Sequence, residues 1–419
     1  PWNDLCDNYG KCGYDRFVKL REKNVNLKTL LAIGGWNEGS TKYSQMAASE
    51  SKRKIFVDSV VALLKKHDFN GLDMDWEYPT QRGGAPEDQA NFVTLMGDLK
   101  AALAPEGMLL TAAVSAGKAT IDPAYDVPGM SKHLDFIHLM TYDLHGSWEH
   151  YTHHQSPLYA HPDDTGATLT LNVDFAVNYW LEKGCPKEKL VLGIPLYGRT
   201  WTLDSSAQTG FYAPASRPGA AGPFTRQTGY LGYNEICEKE SSSNWKIVHD
   251  PAMHEPYAYS IQENNLWVGY EDPVSAAIKT QYAMDKGLAG CMVWSVETDD
   301  FKGKCDGVKF PLLTAIMTTL SGGIFTRPPT EEPKSTTPHT TTTKDPHFST
   351  PGPSEHCSKP GLNADPNDCT HYFSCVEGTS GWIEYENLCP VDTLFSPTGL
   401  ICDWAYNVCD TPNVCINEC

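Results

Sequence analysis

Basic residues are scarce in this chain: 33 lysines and arginines stand against 52 aspartates and glutamates, a formal charge of −19. Binding phosphate takes clustered Lys and Arg, so the balance argues against nucleic acid or an anionic membrane as a partner. No apolar run approaches the ~20 residues that a helix needs to cross a bilayer. The first residues also lack a basic-then-apolar leader. There is no Asn-x-Ser/Thr sequence anywhere, which removes ordinary N-glycosylation. What the 14 cysteines lack is a Cys-x-x-Cys pair or histidines interleaved at ligand spacing, so zinc is not expected. Disulfides remain as their use, and with them a secreted, oxidising setting.

What is present divides into three segments. From residue 28 to 320, short apolar or β-branched runs alternate with amphipathic stretches, the pattern of repeated βα units. Strands are expected at 27–33, 71–76, 108–114, 134–141, 190–196 and 288–294, and helices at 51–66 and 90–103 among others. Several strands end in Gly, aromatic or acidic residues, as in Gly34-Gly35-Trp36-Asn37, Trp76-Glu77 and Tyr142-Asp143. Residues 198–273 are too long for a βα loop and too aromatic for disorder. Residues 326–356 are dominated by Thr and Pro, a composition that cannot form a core and suits an extended, O-glycosylated spacer. The last segment, 357–419, holds eight cysteines, six of which leave gaps of 11, 5, 13, 12 and 6 residues. A piece this small needs covalent staples, and six cysteines allow fifteen connectivities.

The densest signal is Asn70-Gly71-Leu72-Asp73-Met74-Asp75-Trp76-Glu77-Tyr78-Pro79. On a strand, residues two apart share a face, roughly 7 Å apart, so Asp73, Asp75 and Glu77 form a row of acids while Met74 and Trp76 face the other way. Repulsion and desolvation disfavour such a row unless chemistry uses it.

This string resembles the Asp-x-x-Asp-x-Asp-x-Glu signature of family-18 glycoside hydrolases, the chitinases, with Asn70 in place of the first Asp. The resemblance implies an α/β TIM (β/α)8 barrel with an α+β subdomain inserted at about 198–273 in a catalytic domain of residues 1–325. Measured against the family, the chain starts just after the second strand. Residues 1–14 are then a loop, 15–23 the second helix, and the first two strands and the leader lie upstream.

The resemblance also implies roles. Glu77 is the proton donor, Asp75 orients the substrate's 2-acetamido group, which acts as internal nucleophile, and Asp73 shares a proton with Asp75. Met140-Thr141-Tyr142-Asp143 resembles the sixth-strand motif: Tyr142 donates to the acetamido oxygen, Asp143 holds a hydroxyl and Met140 lines the pocket. Met292-Val293-Trp294-Ser295 matches the eighth-strand motif, with Trp294 as the floor under the cleaved sugar. Gly34, Gly35, Trp36 and Asn37 match the third-strand end. Tyr78, Tyr197, Arg199 and Trp148 are further subsite candidates. Residues 357–419 look like the peritrophin-A chitin-binding module, which implies Cys357–Cys375, Cys369–Cys409 and Cys389–Cys402. Some of Tyr372, Phe373, Trp382, Tyr385, Phe395 and Trp404 would then stack on sugar rings. Cys237–Cys305 resembles a family bridge, Cys6 with Cys12 can close a short loop, Cys415 can pair with Cys419, Cys291 reads as a buried thiol, and Cys185 is unassigned.

The expected protein is thus a secreted, monomeric endochitinase without cofactor or metal, acting on chitin and chitooligosaccharides. A chitin lectin or cuticle-matrix protein without turnover is the competing class, and a glucosaminidase trimming chain ends a third reading.

Overall fold

The computed structural model describes residues 4–6, 10–323 and 325, and in the C-terminal region the strand segments 361–364, 371–378, 381–388, 393–396 and 401–404. The chain forms two compact units, Pro1–Thr326 and Arg327–Cys419.

In the first unit, strands β1 (Leu30–Gly34), β2 (Gly71–Asp75), β3 (Leu109–Ser115), β4 (Phe136–Met140) and β5 (Leu190–Pro195) follow one another along the chain. An inserted group comes next: β6 (Tyr197–Thr202), β7 (Arg217–Pro218), β8 (Tyr230–Gly232), β9 (Lys246–Asp250), β10 (Glu255–Ser260) and β11 (Leu266–Gly269), before β12 (Gly290–Trp294). One parallel sheet runs β1-β2-β3-β4-β5-β12. These are six strands of a (β/α)8 barrel, the six that the apolar runs mark. Among the described residues, β1 and β12 have a strand on one side only, and they are correspondingly less buried than β5, which is buried along its whole length.

Residue alternation explains how β2 is held. Leu72, Met74 and Trp76 point outward and are buried under the helix layer. Trp76 lies between Tyr43 and Phe92, ring centroids 5.9 Å away on each side, and its Nε1 donates to Ser40 Oγ at 2.9 Å. Helices Glu50–Lys66 and Asp88–Leu103 turn apolar stripes onto that layer through Val57, Val60 and Leu64, and through Phe92, Leu95, Met96 and Leu99. Burying each such side chain contributes about 2 kcal/mol. The expected helix at 15–23 is instead a short α-helix, Gly13–Val18, running into a 3-10 turn, Lys19–Glu22.

The inserted strands form a mostly antiparallel sheet, β7-β6-β11-β10-β9 with β8 also on β6, around a small core of Trp201, Leu203, Ala213, Ala215 and Trp267. The bridge Cys237–Cys305, Cα atoms 5.8 Å apart, ties its helix Tyr233–Glu240 to the segment after β12, and Cys6 is bonded to Cys12. Cys185 is a buried free thiol. Cys291 is also free but only half-buried, not buried as expected, because β12 is an outer strand.

In the second unit β13 (Gly361–Ala364), β14 (His371–Gly378) and β15 (Gly381–Leu388) form an antiparallel sheet, and β16 (Thr393–Ser396) pairs with β17 (Ile401–Trp404). Tyr372 and Phe373 fall on β14, Trp382 and Tyr385 on β15, Phe395 on β16 and Trp404 on β17. The spacer 326–356, Cys415, Cys419 and the pairings Cys357–Cys375, Cys369–Cys409 and Cys389–Cys402 involve positions outside the described residues.

Candidate active site

Parallel pairing brings the carboxyl ends of β1, β2, β4 and β12 to one end of the sheet, and every candidate residue of the first unit belongs to one of those ends except Trp148, in a loop, and Tyr197 and Arg199, on β6. Gly34 pairs with Asp75, and a Cβ on Gly34 would lie 2.0 Å from the Asp75 carbonyl oxygen. Gly34 also has φ +116°, so the close approach of β1 to the acidic strand needs glycine. The next glycine, Gly35, donates its N–H to that same oxygen at 2.8 Å.

The three acids sit in graded surroundings. Asp73, deepest on the strand, takes a hydrogen bond from Thr111 Oγ1 at 2.5 Å and lies 3.1 Å from His138 Nδ1. Asp75 has a buried Oδ1 with no hydrogen-bond partner among the described residues. Burial first, then the charges of Glu77 and Asp73, push its carboxyl up to about 8. Glu77 is also raised, chiefly by burial and further by Asp143, against the opposing pull of a Tyr78 hydrogen bond and Arg82. Arg82 additionally donates to the Glu77 carbonyl at 3.0 Å and places its guanidinium 3.6 Å from the Trp36 ring centre.

Tyr142 follows β4, its hydroxyl 3.7 Å from Met292 Sδ on β12. Burial and the nearby Asp75, Asp143, Glu77 and Asp73 hold that hydroxyl firmly neutral. Asp143, at φ +56°, accepts from Tyr197 Oη at 2.8 Å and from Arg199 Nε and Nη2 at 2.7 and 2.6 Å. The Arg199 guanidinium lies near the rings of Tyr230 (5.3 Å), Trp148 (5.4 Å) and Tyr197 (5.7 Å).

Asp73, Asp75, Glu77, Tyr142 and Asp143 thus form one electrostatic group. Trp36, in the 3-10 turn after β1, and Trp294, at the end of β12, are 59% and 52% exposed, and Asn37 is exposed in the same turn as Trp36. Met140 is half-buried at the end of β4. Asn70 is spent on structure: its Oδ1 accepts from Thr29 N, Thr29 Oγ1 and Arg21 Nη1 at 3.0–3.3 Å.

Sequence reasoning missed Thr111, His138, Arg82 and Tyr230. One of these carried a signal: His138 is two residues before Met140 and so on the same face of β4, whereas Thr111 is the direct β3 partner of Asp73 through a register that only the fold shows.

Residues 2–299 match the family described as Glycosyl hydrolases family 18, and residues 357–415 match the Chitin binding Peritrophin-A domain. The chain is 46% identical over 313 residues to "Probable chitinase 2" of Drosophila melanogaster, covering 73% of this chain and 63% of that protein. It is 38% identical over 407 residues to "Chitotriosidase-1" of Mus musculus, covering 94% and 84%. Among solved structures, the Ostrinia furnacalis Group IV chitinase in complex with allosamidin superposes with a TM-score of 0.73 at 41% identity, covering 75% of this chain and 85% of that one.

Proposed function

Since the chain belongs to family 18 of the glycosyl hydrolases and carries a peritrophin-A chitin-binding domain, we propose that it is a secreted endochitinase, cutting β-1,4-linked N-acetylglucosamine polymer with retention of configuration. The observation that carries this reading is Asp75: a carboxyl buried between Asp73 and Glu77, pushed up to about 8 by that burial and those charges, whose Oδ1 has no partner among the described residues.

Protonated Glu77 gives its proton to the glycosidic oxygen as the bond from that oxygen to C1 breaks. No second carboxylate attacks. The carbonyl oxygen of the sugar's own 2-acetamido group bonds to C1 instead, forming an oxazolinium ion. Asp75 accepts the acetamido N–H. As positive charge builds on the ring, the proton shared by the two aspartates moves to Asp73, leaving Asp75 anionic beside the cation. The Tyr142 hydroxyl donates to the acetamido oxygen and holds it in line with C1. Glu77, now a carboxylate, takes a proton from water, which attacks C1 and opens the ring.

Trp294, Trp36 and Trp148 offer exposed rings for sugar faces, and Asp143 with Arg199 fixes neighbouring hydroxyls. Residues 357–419 hold the enzyme on insoluble polymer and so raise the local substrate concentration.

Glu77→Gln tests the reading. Release of chitooligosaccharides from a hexamer should fall at least a thousandfold while chitin pull-down is retained. Undiminished turnover removes Glu77 as the acid. Retained binding by a wild-type chain that releases nothing makes the protein a chitin lectin.

A further inference from the structure

Residues 152–156, Thr-His-His-Gln-Ser, are all polar and all wholly buried. A polar segment inside a protein is tolerated only if its groups find partners there, and these partners run in two directions. Toward the site, Gln155 accepts from Asp143 N at 3.4 Å through Oε1 and from Leu144 N at 2.9 Å through its carbonyl, and its Nε2 donates to the Tyr197 carbonyl at 2.6 Å. Ser156 Oγ donates to the Thr141 carbonyl at 2.6 Å. The peptide that carries Tyr142 and Asp143 is therefore gripped from beneath at both ends.

Away from the site, the grip ends on charge. Lys279, on helix Pro273–Lys286, donates to the Ser156 carbonyl and, at 2.8 Å, to Ser156 Oγ. Its ammonium also contacts Glu271, and lies 2.9 Å from Glu255 on β10. Ser275 Oγ donates to the second oxygen of Glu271 at 2.7 Å. Burial and the neighbouring Glu271 raise Glu255 far above the ordinary carboxyl range. His154 completes the packing: its Nε2 donates to the Tyr270 carbonyl at 2.7 Å and its Nδ1 accepts from Ser156 N at 3.0 Å, an arrangement for a neutral ring.

We infer that Ser156 and Lys279 are positioning residues of the active site: the Lys279–Glu271–Glu255 cluster anchors Ser156, and Ser156 holds the Thr141 carbonyl so that Tyr142 meets the substrate's acetamido oxygen. The inference rests on the hydrolytic reading above. None of these residues touches the sugar. They act through Tyr142, at the junction of the barrel, the inserted sheet and helix Pro273–Lys286.

The test is a double-mutant cycle with Tyr142→Phe, using chitin hexamer as substrate. Ser156→Ala should lower kcat about tenfold with KM changed less than about twofold, the loss of one well-placed hydrogen bond expressed in the transition state. In the Tyr142→Phe background the same change should cost less than about twofold, because its route of action is already gone. A loss of folded enzyme would cost the same factor in both backgrounds, and that result overturns the inference. Lys279→Met, which removes the ammonium that grips Ser156, should likewise lower kcat more in the wild type than in the Tyr142→Phe background, and equal losses in the two overturn its part in the anchor. Were the wild-type chain itself inert on hexamer, the hydrolytic reading would fall. The anchor is then read from a crystal structure of Ser156→Ala, where a displaced Tyr142 ring supports it and an unmoved one overturns it.

Discussion

Arg199 holds both carboxylate oxygens of Asp143, through Nε at 2.7 Å and Nη2 at 2.6 Å. The guanidinium side of this pair is largely buried, with 15% of its side chain exposed, against 38% for Asp143. Removing the acid strands the cation. Asp143→Ala is expected to destabilise the fold by ~2 kcal/mol, between the cost of an exposed pair and that of a fully buried one, because Asp143 is partly in water. Arg199→Met on top of it should recover part of the loss. Urea denaturation of the two variants and the wild type checks both.

Asp75 links pH to stability in a direction opposite to most carboxylates. Its carboxyl titrates near 8 in the fold and near the ordinary 3.8 when unfolded. Between those values the native state holds a proton that the unfolded state has lost, so stability falls as pH rises through that window. Asp75→Asn removes the penalty. The variant should be more stable than wild type by on the order of a few kcal/mol at pH 8, with little difference at pH 4. Thermal melts at the two pH values decide it, and equal gains at both would refute the assignment.

Gly34→Ala should be among the most damaging single changes in the first unit. The new Cβ meets the Asp75 carbonyl oxygen at 2.0 Å, and φ +116° disfavours any side chain. The outer strand must swing away from the acidic one, at a cost of about 3 kcal/mol or more. Soluble yield and the melting temperature report it.

The period-two row of acids made the site legible, because the face a residue occupies on a strand follows from its parity alone. The six barrel strands were legible as apolar runs for the same reason, to within a few residues at each end. The cross-strand partners were harder to read. Thr111 and His138 reach Asp73 only once β3 and β4 are in register, and register is set by packing that no single strand announces. The buried run Thr152–His153–His154–Gln155–Ser156 misleads outright: its composition reads as surface loop, whereas its partners come from residues as far along the chain as Tyr270 and Lys279. Asn70 looked like a gap in the acidic signature, and the fold instead gives it three donors at the amino end of β2.

The same five residues of β2 serve two masters, with Leu72 and Met74 clamped under the helices while Asp73 and Asp75 look inward. A deletion or insertion of one amino acid here would turn the acids toward the apolar helix layer and the apolar groups toward the barrel interior. Misregistered molecules would therefore fail to assemble at all rather than persist as well-folded but idle copies.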